Sequence, residues 1–104
     1  MELTDIKTKL KAYHCCFVLP TYNNPKTLKK VLDGVLVYTS EIIVVNDGST
    51  DTTTEILKEY PQIITLHQPK NVGKGHALKT GFRYAVSLGY EYAITLDTDG
   101  QHFP

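Results

Sequence analysis

Ile42-Ile43-Val44-Val45-Asn46-Asp47-Gly48-Ser49-Thr50-Asp51 is the stretch from which the fold can be read. Four apolar residues in a row are too few for a surface helix and too continuous for a half-exposed strand, so they predict a strand buried on both faces. The six residues that follow are turn and helix-capping types. Beyond them, the segment from Thr52 to Tyr60 sets Ile56, Leu57 and Tyr60 on one helical face, with Thr52 and Glu55 at capping-box spacing and Pro61 closing the helix. A buried strand therefore runs through a polar turn into an amphipathic helix.

The same unit recurs on both sides. Upstream, Cys15 to Pro20 is a second apolar run, which Pro20 should end; Asn23 and Asn24 can cap the next helix, and Pro25 suits a first turn. Leu28, Val31, Leu32 and Val35 then recur at helical spacing. Downstream, Ile63 to Leu66 predicts a third strand. Ala77, Leu78, Gly81, Phe82, Ala85 and Val86 predict a helix stripe ending at Gly89, and Tyr92 to Leu96 a fourth strand. Four alternations with short loops predict parallel strands joined by right-handed crossovers, a doubly wound α/β sheet spanning residues 15–104, with residues 1–14 as a lead-in.

Composition narrows the function classes. The 104 residues allow one domain, and 41% hydrophobic with 21% charged is ordinary globular usage. Eleven Lys and Arg balance eleven Asp and Glu, which argues against a nucleic-acid surface. Met1 to Tyr13 mixes Lys with Thr, Leu and acidic residues and holds no apolar leader run, so a cytoplasmic location is expected. Lys7, Lys9 and Lys11 read as a solvated face. Cys15 and Cys16 open a strand, where thiols serve as small hydrophobes.

In such sheets ligands bind beyond the carboxyl ends of the strands. Three polar clusters lie there: Thr21 to Asn24 after strand one, Asn46 to Asp51 after strand two, and Asp97 with Asp99 after strand four. Each has a plainer reading alone. Asn-Asp-Gly-Ser can be only a turn, and an Asp-x-Asp pair only a solvated loop. Asn71-Val72-Gly73-Lys74-Gly75 could present backbone N–H groups and a cation to a phosphate, but it lacks the spacing of a P-loop. The Asp pair gains weight from the strand before it, which would hold hard carboxylate oxygens suited to Mg²⁺ or Mn²⁺.

Taken in order, four segments resemble glycosyltransferase family 2. They are Phe17-Val18-Leu19-Pro20-Thr21-Tyr22-Asn23, Val44 to Asp51, Asn71 to Gly75, and Leu96-Asp97-Thr98-Asp99-Gly100-Gln101-His102. The Gly-Lys-Gly segment and the Asp-x-Asp-Gly-Gln-His ending look most like the dolichyl- or polyprenyl-phosphate sugar synthases. The resemblance implies a GT-A fold, Rossmann-like in this half, with strand order 3-2-1-4 and a nucleoside-diphosphate sugar, UDP- or GDP-linked, as donor. It places Pro20, Thr21, Tyr22, Asn23, Asp47, Gly48, Gly73, Lys74, Asp97 and Thr98 against that donor. Asp97, Asp99 and Gln101 fall on the metal side.

The resemblance further implies an inverting displacement assisted by a base carboxylate downstream of Pro104. The chain is accordingly expected to be the donor half of a longer transferase, cut before the acceptor half, inactive alone and prone to self-association through a bare strand four. A lipid-linked phosphate is the candidate acceptor. Two other classes compete. Nucleotidyltransferases share a related core but carry a Gly-rich, Arg-containing loop after strand one, where this chain has Thr-Tyr-Asn-Asn-Pro. A non-catalytic nucleotide-sugar binding module would look the same in these residues.

Overall fold

The computed structural model describes residues 3–96 and residue 98. Its elements run α1 (Leu3–Ala12), β1 (Cys15–Thr21), α2 (Pro25–Leu36), β2 (Ile42–Asp47), α3 (Thr53–Lys58), β3 (Ile64–Gln68), α4 (Lys74–Ser87) and β4 (Tyr92–Thr95). The four strands form one parallel sheet in the order β3-β2-β1-β4, as the alternation of elements and the family resemblance require.

Burial explains the period of each segment. β2 is buried at all six positions because helices cover both faces of the sheet. On one face Leu19, Ile42 and Val44 pack with Leu28, Val31 and Leu32 of α2 and Leu57 of α3. On the other, Cys16, Val18, Ile43 and Val45 meet Ala77 and Ala85 of α4. Gly81 lets α4 lie close, since a Cβ there would collide with the Val18 side chain. Burial pushes the Cys15 and Cys16 thiols up, Cys16 to about 11, so both remain protonated, unreactive packing groups at neutral pH.

Several expectations need correction. Residues 1–14 are more than a lead-in, because α1 forms there and sets Ile6 and Leu10 beside β4. Pro20 does not end β1: the strand continues to Thr21, paired with Asn46. The Phe17 N–H donates to the Glu41 carbonyl on the β2 side, so by alternation Pro20 faces β4, whose pairing with β1 stops at Val18 and Thr95. The missing proline N–H therefore falls where no ladder bond is needed.

Neither helix cap forms as the spacing suggested. Thr52 makes no side-chain capping bond; Asp51 Oδ1 instead accepts from the Thr53 hydroxyl at 2.6 Å and the Thr53 N–H at 2.9 Å. Those bonds hold the Asp51 carboxyl below its usual range. Asn24 likewise leaves the α2 N–H groups uncapped, and its Oδ1 accepts from the Thr21 hydroxyl at 2.7 Å. In α4 the buried stripe is Ala77, Gly81 and Ala85, whereas Phe82 and Val86 are exposed, because the helix sits so close to the sheet that only small residues fit beneath it.

Candidate functional site: a cleft at the carboxyl edge

The carboxyl ends of β1 and β2, the loop before α4 and the segment after β4 enclose a cleft of about 240 Å³. Pro20, Tyr22, Asp47, Gly73, Lys74 and Thr98 line it, joined by Asn24 and Asn71. Six of the ten residues assigned to the donor thus share one cavity. Asn24 and Asn71 were not among the assigned residues; their signal was their position, Asn24 directly after the first motif segment and Asn71 opening the third, in loops at the correct edge.

Asp47 is the centre of the construction. It is buried at the end of β2, and its Oδ1 accepts from the Val72 N–H at 2.9 Å and Gln68 Nε2 at 3.3 Å. Its Oδ2 accepts from the Gly73 N–H at 3.0 Å. One carboxylate therefore fastens the loop leading into α4 onto the end of β2. Gly73 takes φ of 100°, a region that favours glycine, as the chain turns to enter the helix. Gly48 has φ of 72° and lies under the same loop, where a Cβ would collide with the backbone of Lys70 and Asn71. Gly48 lies outside the cleft lining. Its lack of a side chain allows the two loops to cross.

Asn46 braces the turn from behind. Its Oδ1 accepts from the Ser49 N–H at 3.2 Å, which orients the amide so that Nδ2 donates to Thr54 Oγ1 at 3.1 Å and to His67 Nδ1 at 3.1 Å. With an amide N–H aimed at it, His67 Nδ1 is the acceptor nitrogen.

Of the other assigned residues outside the lining, Thr21 and Asn23 also have structural partners. Thr21 is buried and bonded to Asn24, and Asn23 is bonded to Ser49 and Thr50 across the gap between loops. Thr98, itself buried, donates to the Pro20 carbonyl at 2.8 Å, the group released where the β1–β4 ladder stops. Among the described residues, no group of three or more His, Cys, Asp or Glu side chains is placed to hold a metal ion. Asp97, Asp99 and Gln101 lie outside the described residues.

A parallel sheet in this order, with a cleft at its carboxyl edge bordered by a tyrosine, a buried carboxylate and a lysine, defines an α/β protein of Rossmann-like build. The family model for glycosyl transferase family 2 matches residues 16–104, and the chain belongs to that family. It is 42% identical to a dolichyl-phosphate beta-glucosyltransferase of Trichomonas vaginalis, over 80% of this chain and 29% of that protein. It is 34% identical to a UDP-N-acetylglucosamine–dolichyl-phosphate N-acetylglucosaminyltransferase of Methanococcus voltae, over 84% of this chain and 41% of that protein.

In structure it is similar to glucosyl-3-phosphoglycerate synthase from Mycobacterium tuberculosis, crystallised with Mn²⁺, UDP and glucosyl-3-phosphoglycerate. The TM-score is 0.73 at 22% identity, covering 95% of this chain and 38% of that one. That likeness bears on the fold, which is GT-A. The chain spans well under half the length of these relatives.

Proposed function

We propose that this chain is the donor-binding half of an inverting glycosyltransferase that moves a sugar from a UDP- or GDP-sugar to an acceptor, with a polyprenyl phosphate as the acceptor class. The observation that carries the reading is the cleft itself, in which Tyr22 and Asp47 are brought together from the carboxyl ends of two neighbouring strands. Tyr22 offers a ring face to a nucleobase. Asp47 is acceptor-only, and a carboxylate has roughly four lone-pair sites, so it keeps capacity beyond its three N–H donors for the N–H edge of uracil or guanine. Gly73 and Lys74 line the same cleft on the side where a diphosphate would extend.

The relatives' names support a nucleotide-sugar donor and a lipid phosphate acceptor, and the mycobacterial synthase was crystallised with UDP and Mn²⁺. The donor set fits a hard cation here as well. Thr98 is pinned to Pro20 in the cleft wall, and its sequence neighbours Asp97 and Asp99, with Gln101, offer only oxygen donors suited to Mg²⁺ or Mn²⁺. When bound, such a cation would offset the charge developing on the departing diphosphate. A phosphate acceptor is already ionised and asks less of a general base than a hydroxyl would. No base is assigned to this chain, and no sugar transfer is expected from it alone.

The location is proposed as cytoplasmic, supported by two buried free thiols; among the described residues no helix is long and apolar enough to cross a membrane. Self-association is proposed through β4, a sheet edge with every residue exposed. Sedimentation at high concentration tests it, and a strictly monomeric species would count against it.

The test of the donor reading is an NMR titration of the isolated chain with UDP, GDP and ADP in the presence of Mg²⁺. UDP or GDP should shift the Tyr22, Asp47 and Gly73 signals, with binding weaker than micromolar and ADP weaker still. Absence of any shift in the cleft at about 10 mM nucleotide, a ceiling equivalent to less than ~3 kcal/mol of binding, would sink the reading.

A further inference from the structure

We propose that Asn23 is a positioning residue, which sets the distance between the Tyr22 wall and the Asp47 wall of the cleft and makes no contact with the nucleotide. The inference rests on the donor-site reading above and changes the role that the sequence resemblance gives Asn23. Three observations carry it.

First, the Asn23 side chain already has partners. Its Oδ1 accepts from the Thr50 N–H at 2.8 Å and its Nδ2 donates to Thr50 Oγ1 at 3.2 Å, a reciprocal pair with one residue, while its own N–H donates to Ser49 Oγ at 3.1 Å. Second, Asn23 is absent from the cleft lining, although Tyr22 and Asn24 on either side are present in it. Third, Asn23 adopts φ of 49°, a left-handed conformation that costs a residue with a Cβ about 1 kcal/mol and that asparagine tolerates best.

The chain bends there, with Tyr22 in the cleft lining and the Asn23 amide bonded to the neighbouring loop. The clasp joins loops 26 to 27 residues apart, one carrying Tyr22 and the other following directly on Asp47 and Gly48. Asp47 is fixed independently by Val72 and Gly73. Among the described residues no hydrogen bond of this kind anchors Tyr22 itself at the cleft mouth, where it is 44% exposed. Asn23 supplies it from the adjacent position.

Two substitutions separate this role from a requirement for backbone shape. Asn23→Gly keeps the left-handed turn at no steric cost, and keeps the backbone N–H bond to Ser49, but deletes both side-chain bonds to Thr50. Asn23→Asp keeps an oxygen for the Thr50 N–H and offers a second to the Thr50 hydroxyl. The expected result with UDP is roughly tenfold weaker binding for Asn23→Gly, with the Tyr22 ring shifts lost and thermal unfolding little changed, and recovery to within about twofold for Asn23→Asp.

Equal binding by Asn23→Gly would overturn the proposal, because the residue would then matter for its φ alone. Weak binding by both variants would also overturn it, since the amide would then be acting on the nucleotide. If the unsubstituted chain fails to bind UDP, the donor reading falls and the clasp is judged by amide exchange at Thr50. Faster exchange in Asn23→Gly, restored in Asn23→Asp, supports the clasp; equal exchange in both refutes it.

Discussion

The two flanks of this sheet differ sharply. Beyond β1 and β2 every loop is tied to another: Asp47 to residues 72 and 73, Asn46 to residues 49, 54 and 67, and Asn23 to residues 49 and 50. Across the sheet, β4 is exposed at all four positions, with an apolar groove of about 460 Å³ between it and α1 and an edge-to-face contact between Tyr13 and Tyr92. One flank is held by specific short polar bonds and the other by little more than the β1 ladder. Three of the four motif segments fall at the tied corner, whereas the bare strand itself carries Tyr, Ala, Ile and Thr.

The contrast can be broken most forcefully at Gly48. Gly48→Ala should destabilise by about 3 kcal/mol in urea unfolding, combining left-handed strain with a collision against the Lys70 backbone. A loss under ~1 kcal/mol would mean that the two loops separate easily. Next, Asp47→Asn should cost about 2 kcal/mol, because one accepting oxygen becomes a donor facing the Val72 or Gly73 N–H. Amide exchange at those two residues would report the opening directly.

A tie outside the corner should weigh less. Tyr60 donates its hydroxyl to Asp33 Oδ1 at 2.6 Å, linking the segment after α3 to α2, and Tyr60→Phe should cost about 1 kcal/mol. Burial, then the Asp33 bond and charge, push the Tyr60 phenol above its usual value. A raised acid favours the protonated form in the folded state, so this stability is fully present below about pH 10 and is lost as pH climbs past it. The gap between wild type and Tyr60→Phe should therefore shrink in strong alkali. Smallest of all, Tyr92→Ser and Ile94→Ser should change stability by less than ~0.5 kcal/mol, as exposed positions do, while lowering the self-association seen in sedimentation. A large loss at either position would erase the distinction between the flanks.

Much of this was legible in the residues. Ile42 to Val45 and Cys15 to Leu19 showed central strands because helices on both faces leave no polar side, and Leu28, Val31, Leu32 and Val35 showed α2 by their period. α1 was not legible, since Ile6 and Leu10 stand among Lys and Thr and the strand edge they lie beside is itself exposed. Pro20 misled because a ladder lost on one side does not end a strand paired on the other. In the site, motif order brought the correct loops together, and six assigned residues share the cleft. What Gly48, Asn23 and Thr21 do could not be read locally, since their partners depend on which loops cross. The metal-side residues Asp97, Asp99 and Gln101 lie outside the described residues.

The bond from Thr98 to the Pro20 carbonyl spans 78 residues of sequence. Closing so long a loop has a high entropic cost, and contacts of such separation tend to form late in folding. β1, β2 and β3 with their helices can assemble from shorter closures, but the wall that Thr98 contributes must wait until β4 has been made. As a ribosome releases this sequence, Asp47 can already hold the loop entering α4 while the cleft still lacks one side. If the cleft takes a nucleotide as proposed above, capture should begin only after β4 has docked, and the same wall should be the first to open when the fold is loosened.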